Sequence, residues 1–111
     1  MTYRRVKDPK EVVVIFKTHL RDGADSRAYG RASQRMHELA GTIPGFVSIK
    51  GYHSDDGEEI DIVHFRDETA LEAWRTHPEH LATQERGRKE FYDRFSVQAC
   101  RVFREYEFTL D

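Results

Sequence analysis

One tryptophan and one histidine, six residues apart, lie in the segment best suited to small-molecule chemistry. Trp74 lies in IDIVHFRDETALEAW, and His80 follows just after Pro78. An indole packs well against a planar ligand, and an imidazole titrates near neutral pH, so it can take a proton from a bound acid. A core tryptophan and a helix-capping histidine would have the same spacing. With both interpretations kept, we predict that Trp74 and His80 are the catalytic residues of a small pocket.

Metal and nucleophile chemistry have weaker support. His77 and His80 flank a proline and a glutamate as HPEH, but a catalytic zinc site usually has three protein ligands, and no third ligand is evident. We therefore predict no metal ion.

The single cysteine, Cys100, lies in the strand-like run VQACRVF, where we expect a small buried side chain rather than a nucleophile. The chain has no GxSxG, GxGxxG, phosphate-loop or CxxC motif. Three further histidines are predicted to lie at the surface or in turns: His19, His37 and His53.

The bulk composition limits the class of protein. A chain of 111 residues is predicted to form one domain. Its 18 basic and 20 acidic residues give a formal net charge of −2, whereas nucleic-acid binders usually carry a clustered basic excess. The longest apolar run, VVVIF, is too short to cross a membrane, and one cysteine suits a reducing compartment. We expect a soluble cytoplasmic protein that binds neither nucleic acid nor membrane.

Hydrophobic periodicity predicts the elements that would position these side chains. Alternating or β-branched runs predict strands at 11–20, 46–53, 59–66 and 97–108. Helical spacing predicts one helix at 25–40 and a second that starts after Asp67, breaks at Pro78 and resumes at 79–90. Residues 1–10 are polar and are predicted to form a loose N-terminal extension. The order βαββαβ is typical of an α+β, ferredoxin-like fold with an antiparallel sheet and helices on one face.

The first predicted strand carries apolar side chains on both of its faces. Val12 and Val14 alternate with Val13 and Ile15, which indicates that both faces of the sheet are covered. Because the helices cover only one face in this fold, the other face would be a large exposed apolar patch in a chain of this length. A second copy of the sheet is the simplest cover. The pattern therefore predicts a homodimer.

With this order of elements, the chain resembles the antibiotic biosynthesis monooxygenase superfamily, the dimeric α/β-barrel proteins. The similarity covers about residues 11–108 and rests on the segments VVVIFKTHLRDG, PGFVSIKGYHSDDG, IVHFRDETALEAW, HPEHLATQERGR and VFREYEF in that order. It implies one ferredoxin-like domain over 11–108 that dimerises through its sheets into a barrel, with a pocket between sheet and helices in each protomer. Known chemistry in the superfamily includes cofactor-independent oxidation of polycyclic phenols, haem degradation and quinol oxidation, so the fold does not settle the function.

The resemblance also implies site residues, and here the chain departs from two branches. Trp74 matches the tryptophan that haem-degrading and phenol-oxidising members carry on this helix. The haem-degrading branch has an asparagine where this chain has Phe16, and an iron-ligating histidine where it has Gln84, a poor haem ligand. His80 lies one helical turn before Gln84. The phenol-oxidising branch also uses an asparagine, and this chain contains none. Haem is therefore disfavoured, and no cofactor is predicted.

The route that remains is activation of the substrate itself. A base removes a phenolic proton, and the electron-rich molecule then reacts with oxygen directly. His80, or His64 on the third strand, is predicted to be the base. Tyr52 or Arg88 is predicted to steady the phenolate, and Phe16 completes the substrate-binding set. Three functions stay open: a cofactor-independent monooxygenase-like enzyme acting on an aromatic or quinone-type molecule, a haem-binding or haem-degrading protein, and a non-catalytic ligand-binding or accessory dimer.

Overall fold

Six strands and three helices make up the described part of the chain, residues 2–5 and 10–110 of a computed structural model. The strands are β1 (Thr2–Arg5), β2 (Val12–Leu20), β3 (Phe46–His53), β4 (Glu59–Phe65), β5 (Tyr92–Arg101) and β6 (Tyr106–Thr109). The helices are α1 (Ser26–Ala40), α2 (Glu68–Arg75) and α3 (Pro78–Arg86), and a π-helical turn (Gly87–Phe91) follows α3. Four strands form one antiparallel sheet in the order β3-β4-β2-β5, and β1 and β6 form a separate two-stranded ribbon. The predicted ferredoxin-like fold class is confirmed.

Side-chain caps fix where each helix begins. The carboxylate of Asp25 accepts hydrogen bonds from the first amides of α1, and the carboxylate of Asp67 accepts one from the amide of Ala70 in α2. His77 caps α3 by accepting a hydrogen bond from the amide of Glu79, and Pro78 occupies the first turn, where its missing amide hydrogen has no cost. Each cap satisfies backbone amides that would otherwise be unpaired at the start of a helix, which explains why all three helical pieces begin near the predicted residues.

The register of the sheet determines which side chains face the helices. Val14 of β2 lies opposite Val63 of β4 and Ala99 of β5. Phe16, two residues further along β2, lies opposite Asp61. Because side chains alternate along a strand, these positions share one face. The buried core packs between this face and the helices: Val12, Val14, Leu39, Ala40, Ile43, Val63, Phe65, Ala70 and Trp74.

Two predictions at the ends of the chain are wrong. The predicted loose extension at 1–10 contains strand β1, which pairs with β6. The predicted last strand at 97–108 is two strands, because β5 begins earlier, at Tyr92, and ends at Arg101. Arg101 pairs with Val12, the first residue of β2. One further backbone hydrogen bond follows, from the amide of Val102 to the carbonyl of Glu11. The alternation of the sequence continues past the end of the ladder.

The second predicted helix breaks where expected. Pro78 begins α3, which ends at Arg86, and the π-helical turn continues the helical backbone to Phe91, one residue past the predicted end at 90. A Cβ atom at Gly87 would overlap the ring of Tyr92, so the glycine allows that ring to fold back under the π-helical turn. The turn brings the rings of Phe91 and Tyr92 to 5.7 and 6.1 Å from the ring of Tyr29.

The sheet face away from the helices carries the residues of opposite parity. Val13 and Ile15 are half-buried on this face, and Val13 pairs with Cys100 of β5. Cys100 is exposed, so the expectation of a buried cysteine is wrong for this chain. The physical reason is that β5 lies at the edge of the sheet and no helix covers this face. In the described ranges, 2–5 and 10–110, no helix is long and apolar enough to span a membrane.

Candidate active site

A cavity of about 150 Å³ lies between the sheet and the helices. Its walls come from every strand of the main sheet, from all three helices and from the π-helical turn, and they are mostly apolar. The residues that line it include Phe16, Tyr29, His37, Asp61, Trp74, His80, Gln84, Phe91, Tyr92 and Val97. A mostly apolar cleft with a few convergent polar groups is typical of a small-molecule site.

Trp74 and His80 form one end of the cavity as a stacked pair. Their ring centroids are 4.0 Å apart and the planes meet at 25°. Trp74 is buried on α2 and packs on the ring of Phe65 at 6.5 Å. The break at Pro78 turns α3 back over α2, and this places His80 on the indole. The structure therefore brings together the two residues that the sequence predicts to be catalytic, and both line the cavity.

The environment of His80 favours its neutral form. Burial lowers the pKa of the imidazole, and nearby His77 acts in the same direction, while the backbone carbonyls of Trp74 and Arg75 partly oppose the shift. Nδ1 of His80 is buried and has no hydrogen-bond partner among the described residues. The lowered pKa favours the neutral imidazole near neutral pH, and this is the protonation state that a general base requires.

Aromatic side chains form another part of the cavity wall. The ring of Phe16 lies 6.2 Å from the rings of both Tyr92 and Phe95, in edge-on arrangements. Burial raises the pKa of the Tyr29 phenol and, more strongly, that of Tyr92, and the negative charge of Asp61 adds to both shifts. Both tyrosines therefore stay protonated near neutral pH and can donate hydrogen bonds to a ligand. Phe16 lines the cavity as predicted, and it contributes an apolar wall.

A carboxylate and an imidazole form the polar end of the cavity. Nε2 of His37 lies 3.2 Å from Oδ1 of Asp61, and the two side chains are 34% and 25% exposed. Burial raises the pKa of the Asp61 carboxyl, and His37 partly opposes that shift. Sequence reasoning missed both residues, because His37 was expected at the surface. The signal that could have found them is an aspartate in the middle of IDIVHF, at the parity that faces the helices.

Three predicted substrate-binding residues lie outside the cavity, so the expectation that they face it is corrected. His64 is next to Val63 on β4 and therefore points to the opposite face, where it pairs with Glu11. Tyr52, on β3, is 47% exposed. Arg88 lies in the π-helical turn, where its side chain is exposed and pairs with Glu85. None of these three side chains belongs to the cavity lining.

The lining residues do not fit a haem group. Gln84 presents an amide to the cavity at the position of the expected iron ligand, and His80, one turn earlier, is stacked on the indole of Trp74. The cavity volume suits about one aromatic ring, since engineered cavities of about 150 Å³ bind benzene. A tetrapyrrole is several times larger than that ring.

Metal binding has no donor set in the described part of the chain. Nowhere in residues 2–5 and 10–110 do three histidine, cysteine or acidic side chains cluster closely enough to hold a metal ion. The two histidines of HPEH have other roles: His77 caps α3, and His80 stacks on Trp74.

Comparisons with known proteins agree with this architecture. Residues 11–86 match the family model described as antibiotic biosynthesis monooxygenase. YqjZ of Bacillus subtilis, an uncharacterized protein, is 30% identical over 101 residues, which cover 91% of this chain and 87% of YqjZ.

Two solved structures share the fold. Rv0793 of Mycobacterium tuberculosis superposes with a TM-score of 0.76 at 24% identity, over 86% of this chain and 97% of its own. A mutant of SnoaB, a cofactor-independent oxygenase from Streptomyces nogalater, superposes with a TM-score of 0.72 at 14% identity, over 85% of this chain and 94% of its own. At these identities the two likenesses concern the fold alone. The resemblance read from the sequence is confirmed at the level of the family.

Proposed function

The chain belongs to the antibiotic biosynthesis monooxygenase family, and on that premise we propose that it is a monooxygenase-like enzyme that acts on an aromatic or quinone-type small molecule without a tightly bound cofactor. The observation that carries the proposal is the stacked pair at the cavity end, where a neutral His80 lies 4.0 Å from the indole of Trp74. The fold similarity to a cofactor-independent oxygenase supports the absence of a cofactor.

The proposed chemistry needs only a base, a planar pocket and dioxygen. Trp74 stacks on the imidazole of His80 and holds it at the cavity end, where the imidazole takes the phenolic proton. The resulting carbanion gives its electrons to dioxygen. For an activated methylene the balance is R₂CH₂ + O₂ → R₂C=O + H₂O, in which the substrate supplies all four electrons. One oxygen atom enters the product, the other leaves as water, and the proton held by His80 returns to that water.

The cavity limits the size of the group that it encloses. About 150 Å³ accommodates roughly one aromatic ring. A polycyclic substrate therefore places one ring against Trp74 and extends its remaining rings through the mouth or along β5, where Val97 is 49% exposed although it lines the cavity.

A homodimer is part of the same proposal. Strand β5 pairs with β2 on one side only in the described sheet, so its other edge carries unpaired backbone groups. Large apolar side chains after it are exposed, including Phe103 at 91% and Leu110 at 79%. A second copy would cover both features, and light scattering should give twice the chain mass of 13.1 kDa. A monomer at micromolar concentration would refute the dimer. The single thiol, Cys100, suits a reducing cytoplasm.

Oxygen uptake tests the enzyme. Anthrone, which enolises to a phenol, and a hydroquinone are supplied to the purified protein against a protein-free blank. We expect uptake of one O₂ per anthrone, and a loss of about 10²-fold or more in His80→Phe, as for removal of a general base. His53→Gln is the matched control, since the His53 side chain is 77% exposed and lies outside the cavity. Uptake no faster than the blank with both substrates would refute the enzyme and leave a ligand-binding protein.

A further inference from the structure

Among the described residues that line the cavity, Asp61 is the one acidic side chain. It lies on β4 opposite Phe16 of β2 and Gly51 of β3, on the face that carries the apolar core. An ionised carboxylate in such a place is unfavourable unless a partner or a ligand compensates for the lost water. The chain retains it where a valine or isoleucine would continue the pattern of IDIVHF.

One partner is present, and it leaves part of the carboxylate free. His37, in the last turn of α1, approaches Oδ1 of Asp61 at 3.2 Å, and no other described side chain hydrogen-bonds to this carboxylate. A carboxylate has about four acceptor positions. The remaining positions are available to a group that enters the cavity.

A glycine on the neighbouring strand keeps space beside the carboxylate. A Cβ atom at Gly51 would lie 3.2 Å from Oδ1 of Asp61, which is closer than ordinary van der Waals contact. Gly51 has no positive φ angle that would require glycine. Glycine also weakens the interior of a strand. Glycine at position 51 therefore leaves Asp61 accessible and makes the strand less stable than a larger residue would.

The polar end is separate from the stacked pair. Asp61 and Phe65 are four residues apart on β4, which spans roughly 13 Å in a strand, and Trp74 lies over Phe65. Val63 and its strand partner Val14 lie between the two ends on this face of the sheet. A ring bound in the apolar stretch between the two ends can therefore direct a polar group toward the carboxylate.

We propose that Asp61, held in place by His37, is the specificity-determining residue of the cavity and accepts a hydrogen bond from a hydroxyl group on an aromatic ligand. The cavity then selects hydroxylated aromatic molecules over the same molecules without the hydroxyl. This inference rests on the proposed function only in taking the ligand to be aromatic. It assigns to Asp61 a role in recognition that neither Trp74 nor His80 performs.

A binding experiment on the full-length protein tests this inference without turnover. The probes are p-cresol and toluene, which differ by one hydroxyl and have a single ring that suits the cavity. The readout is the ¹H–¹⁵N signal of the indole N–H, which is unique because Trp74 is the only tryptophan. We expect p-cresol to bind about tenfold more tightly than toluene, since a hydrogen bond to a charged group is worth about that factor.

Substitution of the carboxylate should remove this preference. In Asp61→Asn we expect the two dissociation constants to agree within about twofold, mainly because p-cresol binds more weakly. The matched control is Asp93→Asn. Asp93 also pairs with a histidine, His19, at 2.9 Å, but the pair is outside the cavity lining. This variant should keep the tenfold preference.

Several results would overturn the inference. These are a wild-type protein that binds both probes equally, a signal that neither probe shifts, and an Asp61→Asn variant that keeps the preference. Should Asp61→Asn fail to fold, Gly51→Ala decides, because its methyl group crowds Oδ1. We expect it to lower the preference severalfold, and an unchanged preference would refute the idea. Oxygen uptake is measured separately. A protein that shows the hydroxyl preference but takes up no oxygen would therefore refute the enzyme proposal and leave the role of Asp61 intact.

Discussion

Replacement of His80 by phenylalanine should change how stability depends on pH. Burial lowers the pKa of His80 below its ordinary value of 6.5 in the folded chain, while the unfolded chain keeps the ordinary value. A lowered folded-state pKa means that the stability due to this group is present above pH 6.5. That stability is lost as the pH falls toward the folded-state pKa, because the unfolded chain binds the proton first. Phenylalanine keeps an aromatic ring on Trp74 but cannot take up a proton.

The size of the effect follows from one proton. Linkage allows at most about 1.4 kcal/mol per pH unit for a single group. Between pH 8 and pH 5.5, starting from a pKa of 6.5, the stability of His80→Phe relative to wild type should therefore rise by up to about 1.4 kcal/mol. With a urea slope of about 1–3 kcal/mol/M, this corresponds to a midpoint shift on the order of 0.5–1 M.

Urea unfolding at pH 8, 7, 6 and 5.5, followed by circular dichroism, measures this shift. His53→Gln provides the comparison, because it removes one histidine whose side chain is 77% exposed. A difference between wild type and His80→Phe that stays constant with pH would refute the reasoning. So would a wild type that becomes the more stable of the two in acid. Either result would mean that folding does not favour the neutral imidazole, and that the proton-accepting form of His80 is less populated than its environment suggests.

Four further predictions concern backbone and charge. Asp61→Asn should stabilise the fold at pH 7 by roughly 1 kcal/mol. Burial raises the pKa of Asp61 above its ordinary value of 3.8, so the aspartate contributes most to stability at low pH and this contribution is lost as the pH rises through the raised pKa. The gain from Asp61→Asn in urea titrations should therefore shrink as the pH falls toward 3.8. Gly45→Ala should destabilise by about 2–4 kcal/mol, since φ is +92° and the new Cβ would lie 2.7 Å from that of Ala70; a thermal midpoint equal to wild type would contradict this. Gly30→Ala, with nothing within 4 Å in α1, should instead raise the midpoint by the equivalent of about 0.5–1 kcal/mol, and Gly87→Ala should lower it by about 1–3 kcal/mol because it displaces the ring of Tyr92.

The parts of the fold that the sequence predicts well depend on local chemistry. Asp25 and Asp67 can cap a helix wherever they precede one, and a proline after His77 forces a new helix start. The ends of β5 depend instead on where β2 begins, because the ladder stops at the pair of Arg101 with Val12. When a distant strand sets the end of β5, the residues around that end do not reveal it.

The candidate site divides in the same way. Trp74 and His80 could be predicted because they lie in one short segment and their residue types have few other uses there. His64 and Asp61 are both polar residues on β4, and only the parity of the strand decides which of them faces the helices. Apolar residues stand at both parities of this strand, so the pattern gave no preference. Sequence reasoning therefore named His64 and missed Asp61 for a reason of geometry, not chemistry.

The position of β5 links the two proposals. Val97 lines the cavity and yet is 49% exposed, and Phe95, which packs edge-on against Phe16, is 44% exposed. The wall of the cavity is therefore also part of the surface that a second copy is proposed to cover. Excluding water from this wall would lower the local dielectric, and a hydrogen bond from a ligand hydroxyl to Asp61 becomes stronger in a drier site. The same change disfavours the charged form of His80 further. Assembly and recognition would then act on the same groups, so the cavity of a single chain is the weaker form of the site.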